Sequence, residues 1–189
     1  TARERAATLR RLGGAIRARR DEIADKLHAA FGKHRVESDL TEIQLTLAEL
    51  DHAVRHVHRW MRPTRVATPI WMGIGRSEIR YEARGLTLIL GAWNYPFALM
   101  LAPLVAAVAA GNCVIMRPSE KVPHTNGVVA RLIADVFDDS VVALVDGGVD
   151  VATRLLELPF DHIFFTGTTK VGRQVMAAAS RSLASVTLE

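Results

Sequence analysis

The chain has 189 residues, of which 49% are hydrophobic, 23% charged and 6% aromatic, a composition that excludes a disordered or fibrous protein. At about 150 residues per domain the length suits one large domain, or a domain with an appendage, large enough to stand without covalent staples. Its 24 Lys and Arg against 20 Asp and Glu leave a net charge of only +4, and a single cysteine, Cys113, excludes an internal disulfide framework and points to a reducing, cytoplasmic setting.

Residues 1–62 read as a helical segment. Leu9, Leu12 and Ile16 share one face, and Ile23, Leu27 and Phe31 continue it after a break. Leu40, Ile43, Leu47, Leu50, Val54 and Val57 then recur at steps of three and four, which predicts an amphipathic helix capped by Ser38 or Asp39. Seven arginines crowd the first twenty residues, but Glu4, Asp21 and Glu22 interleave with them and no aromatic precedes Phe31. That pattern predicts a charged helix face, not a nucleic-acid surface. No basic-then-apolar leader opens the chain, so no secretory signal is expected. His52 and His56 stand four apart with His58 nearby, yet no carboxylate or thiol joins them in a metal-binding spacing; they read as solvated histidines.

Residues 63–85 change character. Pro63, Pro69, Gly73, Gly75 and Gly85 punctuate short extended runs, as expected of a connecting arm or hairpin. From residue 86 to 189 strands alternate with helices. Strands are expected at Leu86–Leu90, Cys113–Met116, Val141–Val145 and His162–Phe165, and helices near 97–110, 125–137, 150–157 and 170–183. This rhythm predicts an α/β fold with a parallel sheet and helices on both faces. The 32 residues between Arg84 and Arg117 carry no charge, but Gly91, Asn94, Pro96, Gly111 and Asn112 interrupt them short of the ~20 apolar residues a membrane span needs.

In parallel sheets, ligands bind beyond the carboxyl ends of the strands. Gly91-Ala92-Trp93-Asn94-Tyr95-Pro96 follows the first strand, and its Asn94 reads either as a donor for a developing oxyanion or as a turn residue bonding its own backbone. Arg117-Pro118-Ser119-Glu120 follows the second: the carboxylate suits ribose hydroxyls and the arginine a phosphate, or both are a solvated loop. Thr166-Gly167-Thr168-Thr169-Lys170-Val171-Gly172-Arg173 follows the fourth and runs into a helix, a setting that invites phosphate. A P-loop would require Lys then Ser or Thr where Arg173 and Gln174 stand, so a dinucleotide pyrophosphate fits better than a triphosphate.

Taken in order, GAWNYPF (91–97), AGNCVIMRPSE (110–120), DHIFFTGTTKVG (161–172) and VTLE (186–189) resemble the aldehyde dehydrogenase superfamily, most nearly its class-3-like branch. The resemblance runs over essentially the whole chain and implies an incomplete, Rossmann-like NAD(P)-binding part of an enzyme that oxidises aldehydes to carboxylic acids. It implies Asn94 as the oxyanion donor and Glu189 as the base that activates water. Glu120 would hold the adenosine ribose, and Gly167, Thr168 and Gly172 the pyrophosphate, with Trp93, Arg117, Ser119 and Gly147 also around NAD or NADP. Arg117 stands where the family usually has Lys; its fork favours a 2′-phosphate while Glu120 favours NAD. The arm resembles the family's oligomerisation segment and implies a homodimer of the full-length protein. The family's nucleophilic cysteine lies some tens of residues beyond the glutamate matched by Glu189; Cys113, opening an apolar strand, is expected to be a small buried hydrophobe instead. The alternative reading is a short, inactive module that binds a nucleotide or a partner subunit.

Overall fold

The computed structural model describes residues 1–189. Helices α1 (Ala2–Ala18) and α2 (Arg20–Phe31) form where the spacing predicts them, and Leu9, Leu12, Ile16, Ile23 and Leu27 are fully buried. The arginines between them have structural partners. Arg5 Nη1 donates to the carbonyl of Ala109 at 3.0 Å and Arg11 Nη2 to that of Val136 at 3.1 Å, each satisfying a carbonyl at the carboxyl end of a later helix.

The next helix departs from expectation. Instead of starting at a Ser38 or Asp39 cap, it grows out of a short helix α3 (Arg35–Ser38) through a π-helical turn (Asp39–Ile43) into α4 (Gln44–Trp60). Asp39 pairs with Arg20 at 2.6 Å, and the Ser38 hydroxyl is buried without a partner. The wider turn puts its own first residues out of phase with the apolar stripe. Leu40 therefore faces solvent, 63% exposed, and Glu42 lies fully buried. His52 is exposed and His56 half-buried on α4, where both rings lie against Trp60, with centroids 5.6 and 5.8 Å away.

Strands β1 (Thr64–Val66) and β2 (Ser77–Ile79) pair antiparallel, so the arm is a hairpin. Its connection exposes Ile70 (91%) and Trp71 (82%). The main sheet follows: β3 (Leu86–Leu90), α5 (Ala98–Ala110), β4 (Cys113–Arg117), α6 (Pro123–Val136), β5 (Val142–Leu144), α7 (Val149–Leu155), β6 (His162–Phe165), α8 (Thr169–Ala179) and β7 (Ser185–Leu188). All five strands are parallel, in the order β5-β4-β3-β6-β7. The predicted strands and helices are present within a few residues. The exceptions are β7, which the sequence reading did not assign, and the end of α8, which stops at Ala179 before Leu183 turns to a left-handed φ of 56°.

Period-two alternation sorts the strand side chains between two layers. Ile89, Val114, Met116 and Val142 join the larger core under α1, α2, α4, α5 and α6. Leu88, Leu90, Ile163 and Phe165 face the smaller core with Leu155, Val175 and Ala179 of α7 and α8. Gly111 ends α5 in the left-handed conformation, φ 89°, that only glycine adopts cheaply. No helix is long and apolar enough to cross a membrane.

Cys113 corrects an expectation. It is exposed, because it is the first residue of β4 at the amino-terminal rim of the sheet; burial begins only at Val114.

Candidate functional site

The strand order fixes where a ligand can sit. From β3 the chain moves outward to β4 and β5, then returns to lay β6 on the other side of β3. Helices α5 and α6 pack on one face and α7 and α8 on the other, so the loops after β3 and β6 separate over the carboxyl edge and open a crevice. The crevice is a cleft of about 680 Å³. Its walls come from the ends of four strands: Gly91–Asn94 after β3, Arg117 and Ser119–Lys121 after β4, Thr166–Thr168 after β6 and Glu189 after β7.

The turn after β3 carries Asn94 and Trp93, both exposed. Lys33 Nζ donates to the Asn94 backbone carbonyl at 3.4 Å, and the Trp93 ring lies 5.9 Å from Lys121 Nζ. The turn itself is bonded to the sheet, Gly91 N–H donating to the Arg117 carbonyl at 3.0 Å.

After β4, the Arg117 side chain lies inward, 7% exposed. Its Nη2 donates at 2.7 Å to Glu120 Oε2 and at 2.7 Å to the carbonyl of Gly147. One guanidinium thus ties the β4 loop to the β5 loop. Gly147 has φ 151°, and a Cβ there would fall 2.4 Å from Val151 Cγ2, so glycine is required where the carbonyl turns toward Arg117. The Arg117 Nε is buried with no partner. Glu120's own backbone N–H, and then the Arg117 guanidinium, hold its carboxyl below the ordinary 4.5 in spite of partial burial, so it is ionised at neutral pH. Ser119 is buried beneath the loop, its carbonyl accepting from Asn126 Nδ2 at 2.9 Å.

After β6, Thr168 caps α8, its hydroxyl accepting from the Val171 N–H at 3.5 Å. The amides of Thr169 and Lys170 open α8 at the positive end of its dipole, next to Gly167 and Thr168 on the cleft wall. Gly172 lies deeper, buried between α8 and the sheet, where a Cβ would make ordinary contact with Leu188 at 3.5 Å. Glu189 extends β7, its N–H donating to the Phe165 carbonyl at 3.0 Å and its Oε2 accepting from Thr166 Oγ1 at 3.1 Å.

Asn94, Trp93, Arg117, Ser119, Glu120, Gly167, Thr168 and Glu189 therefore share one cleft, while Gly147 stands beside Glu120 and Gly172 supports α8 from below. Lys33 and Glu42 were not singled out from the sequence, although they hold the Asn94 turn from behind. One signal was available: counting back from Val57 through Ala53, Leu50 and Thr46 at helical steps lands on Glu42, an acid on the buried face.

Comparison with known proteins agrees with this architecture. The aldehyde dehydrogenase family matches residues 1–189. Mouse aldehyde dehydrogenase family 3 member B3 is 42% identical over 189 residues, covering 100% of this chain and 40% of that protein. The 4,4′-diaponeurosporen-aldehyde dehydrogenase of Staphylococcus aureus is 39% identical over 181 residues, 96% of this chain and 39% of that protein. A substrate-bound structure of Staphylococcus aureus AldH superposes with a TM-score of 0.97 at 38% identity, covering 100% of this chain and 41% of that one. Mycobacterium tuberculosis aldehyde dehydrogenase, solved with NAD+, shares the fold at 24% identity and a TM-score of 0.88, covering 100% of this chain and 38% of that one. The chain thus spans about two fifths of the relatives it matches. With the whole chain matched, and with family 3 members among its relatives, this protein belongs to the aldehyde dehydrogenase family.

Proposed function

We propose that residues 1–189 form the cofactor-binding part of an NAD(P)-dependent enzyme that oxidises an aldehyde to a carboxylic acid. One observation carries the reading: Asn94, the Arg117–Glu120 pair, the free end of α8 and Glu189 all open on one cleft at the carboxyl edge of the sheet. The residues fit a nicotinamide dinucleotide. The cleft has the volume of a cofactor site, α8 begins at its wall beside Thr168, and the buried Arg117 Nε on its wall lacks a partner. When bound, the dinucleotide supplies the hydride acceptor.

The Glu120 carboxylate accepts from the adenosine ribose hydroxyls, and the Thr169 and Lys170 amides face the pyrophosphate. Arg117 Nη2 is already committed to Glu120 and Gly147, so a 2′-phosphate would meet the Glu120 carboxylate with Lys121 as the one uncommitted cation on the cleft lining. That favours NAD over NADP. The Asn94 amide donates to the aldehyde oxygen as negative charge develops on it. Glu189, oriented by Thr166, takes the proton from the water that hydrolyses the acyl intermediate.

Covalent catalysis further requires a thiolate. Cys113 does not supply it: Arg117 is four residue steps along β4, roughly 13 Å at ~3.3 Å per step, and the cleft is at that far end of the strand. The nucleophile of the active enzyme therefore comes from sequence outside these 189 residues. The hairpin, with Ile70 and Trp71 exposed, packs against a second subunit of a homodimer, and a lone unpaired cysteine suits the cytoplasm.

Titration of NAD into the purified chain tests the reading. Saturable binding is expected, weakened by Glu120→Ala, with no NADH produced from added aldehydes. Turnover by these residues alone would overturn the assignment of the nucleophile. Binding unaffected by Glu120→Ala would overturn that of the cleft.

A further inference from the structure

We propose that the buried Lys33–Glu42 ion pair is a positioning device that sets the orientation of Asn94 from behind the cleft. The proposal rests on reading Asn94 as the oxyanion donor. Neither Lys33 nor Glu42 lines the cleft. Both are buried, Lys33 9% exposed and Glu42 0%, and Lys33 Nζ meets Glu42 Oε1 at 2.6 Å.

The pair grips the turn between β3 and α5 at two points, its middle and its α5 end. Glu42 Oε2 accepts from the backbone N–H of Phe97 at 2.8 Å and of Ala98 at 3.3 Å, the first amides of α5. Phe97, the residue at the cap position, has no side-chain oxygen to offer, so a carboxylate 55 residues earlier in sequence takes its place at the positive end of the helix dipole. In the middle of the turn Lys33 Nζ donates to the Asn94 carbonyl at 3.4 Å and lies 4.2 Å from the centroid of the Tyr95 ring. Pro96, buried between these holds, has its φ fixed by its ring. The backbone of 94–98 is thus held from the Asn94 carbonyl onward, and Gly91, bonded to the Arg117 carbonyl, holds the turn before Asn94.

Stability alone is a poor reason for such a pair. A serine or aspartate at position 97 would cap α5 locally, and a buried ion pair adds little over apolar residues of the same volume. What it adds is a fixed geometry, joining α2's end, the π turn and the Asn94 turn through one carboxylate. Glu42 lies inward on the same face as Thr46, Leu50 and Ala53 of α4.

The test uses the complete enzyme that carries this sequence. Glu42→Gln keeps an oxygen for the two amides and breaks the pair. Lys33→Met breaks the same link and leaves the carboxylate bonded to both amides, so it serves if Glu42→Gln fails to fold. Each is expected to lower kcat by about tenfold to about a hundredfold, the range for a catalytic group misplaced by up to an ångström. NAD affinity should be unchanged, since α8 and the Arg117–Glu120 pair are untouched. Combined with Asn94→Ala, neither should add further loss. In the 189-residue chain, hydrogen exchange at Phe97 and Ala98 should quicken in Glu42→Gln. If Asn94→Ala lowers kcat while Lys33→Met does not, or if their losses multiply independently, the positioning role is wrong. If Asn94→Ala itself costs nothing, it is the oxyanion assignment that fails, a separate and recognisable result.

Discussion

Replacing Arg117 with Met removes the guanidinium that joins the β4 and β5 loops while keeping most of the apolar stem. The bond to the Gly147 carbonyl is charge-assisted and short, 2.7 Å, but that carbonyl belongs to a partly exposed residue, which places its contribution near the lower end of the range, about 1.5 kcal/mol. The partner at Glu120 contributes less. Its side chain is 37% exposed, so solvent screening leaves the ion pair about 0.5 kcal/mol. Arg117→Met should therefore lower stability by about 2 kcal/mol, or Tm by about 4–8 °C for a domain of this size. Urea unfolding of the wild-type chain, Arg117→Met, Glu120→Gln and the double variant would separate the two bonds, with a coupling energy of about 0.5 kcal/mol between positions 117 and 120. Cofactor binding adds a pH signature. Glu120 is held below 4.5, so NAD affinity should stay flat from neutral pH down past that value and weaken only as pH falls through the lowered pKa. In Arg117→Met the acid limb should move up toward 4.5. A variant as stable as wild type, with an unmoved acid limb, would refute the idea that this guanidinium organises the ribose end of the cleft.

Three further outcomes follow from particular residues. Glu120→Gln should narrow the preference for NAD over NADP by about tenfold, as expected when a carboxylate no longer faces the 2′-phosphate, measured as the ratio of the two dissociation constants. Iodoacetamide should alkylate exposed Cys113 under native conditions and leave NAD affinity intact; loss of binding on alkylation would show that β4's amino end communicates with the cleft. Desolvation, and then nearby Arg84, lower the pKa of His162 from 6.5 in the folded chain, so the unfolded chain takes up its proton first. Stability should therefore fall as pH drops below about 6.5. His162→Asn should flatten that stretch of the urea-midpoint profile, and a profile of unchanged slope would contradict the assignment.

Most of the sheet was legible because its strands obey short-range rules. Leu86–Leu90 and His162–Phe165 are apolar runs bounded by turn residues, and each forms a strand with those bounds. β7 escaped because Ser185–Leu188 becomes a strand only by pairing with β6; four residues beyond a helix carry too little periodicity to show it. Cys113 was misread for a related reason. An apolar strand predicts buried neighbours, but the first residue lies outside the layer that the helices cover. Strand-end motifs could be found because a parallel sheet gathers its loops along one edge, so residues far apart in sequence, such as Asn94 and Glu189, converge without any local signal of their distance.

The back of the site is harder to read than its front, and Glu42 shows why. Its burial follows the helical phase of α4, which runs back from Val57 through Thr46 to Glu42 and breaks only at Leu40, but phase alone does not say what a buried acid is for. Its purpose depends on amides 55 and 56 residues later and on a lysine nine residues earlier, a set of partners that no spacing rule connects. An isolated buried carboxylate would be expelled by its desolvation cost; this one persists because three donors converge on it, two of them at a helix end that lacks a local cap. Asn94 thus reaches the cleft on a turn held by a lysine and a glutamate outside it, and substitutions at those two positions should alter catalysis while every residue lining the cleft stays the same.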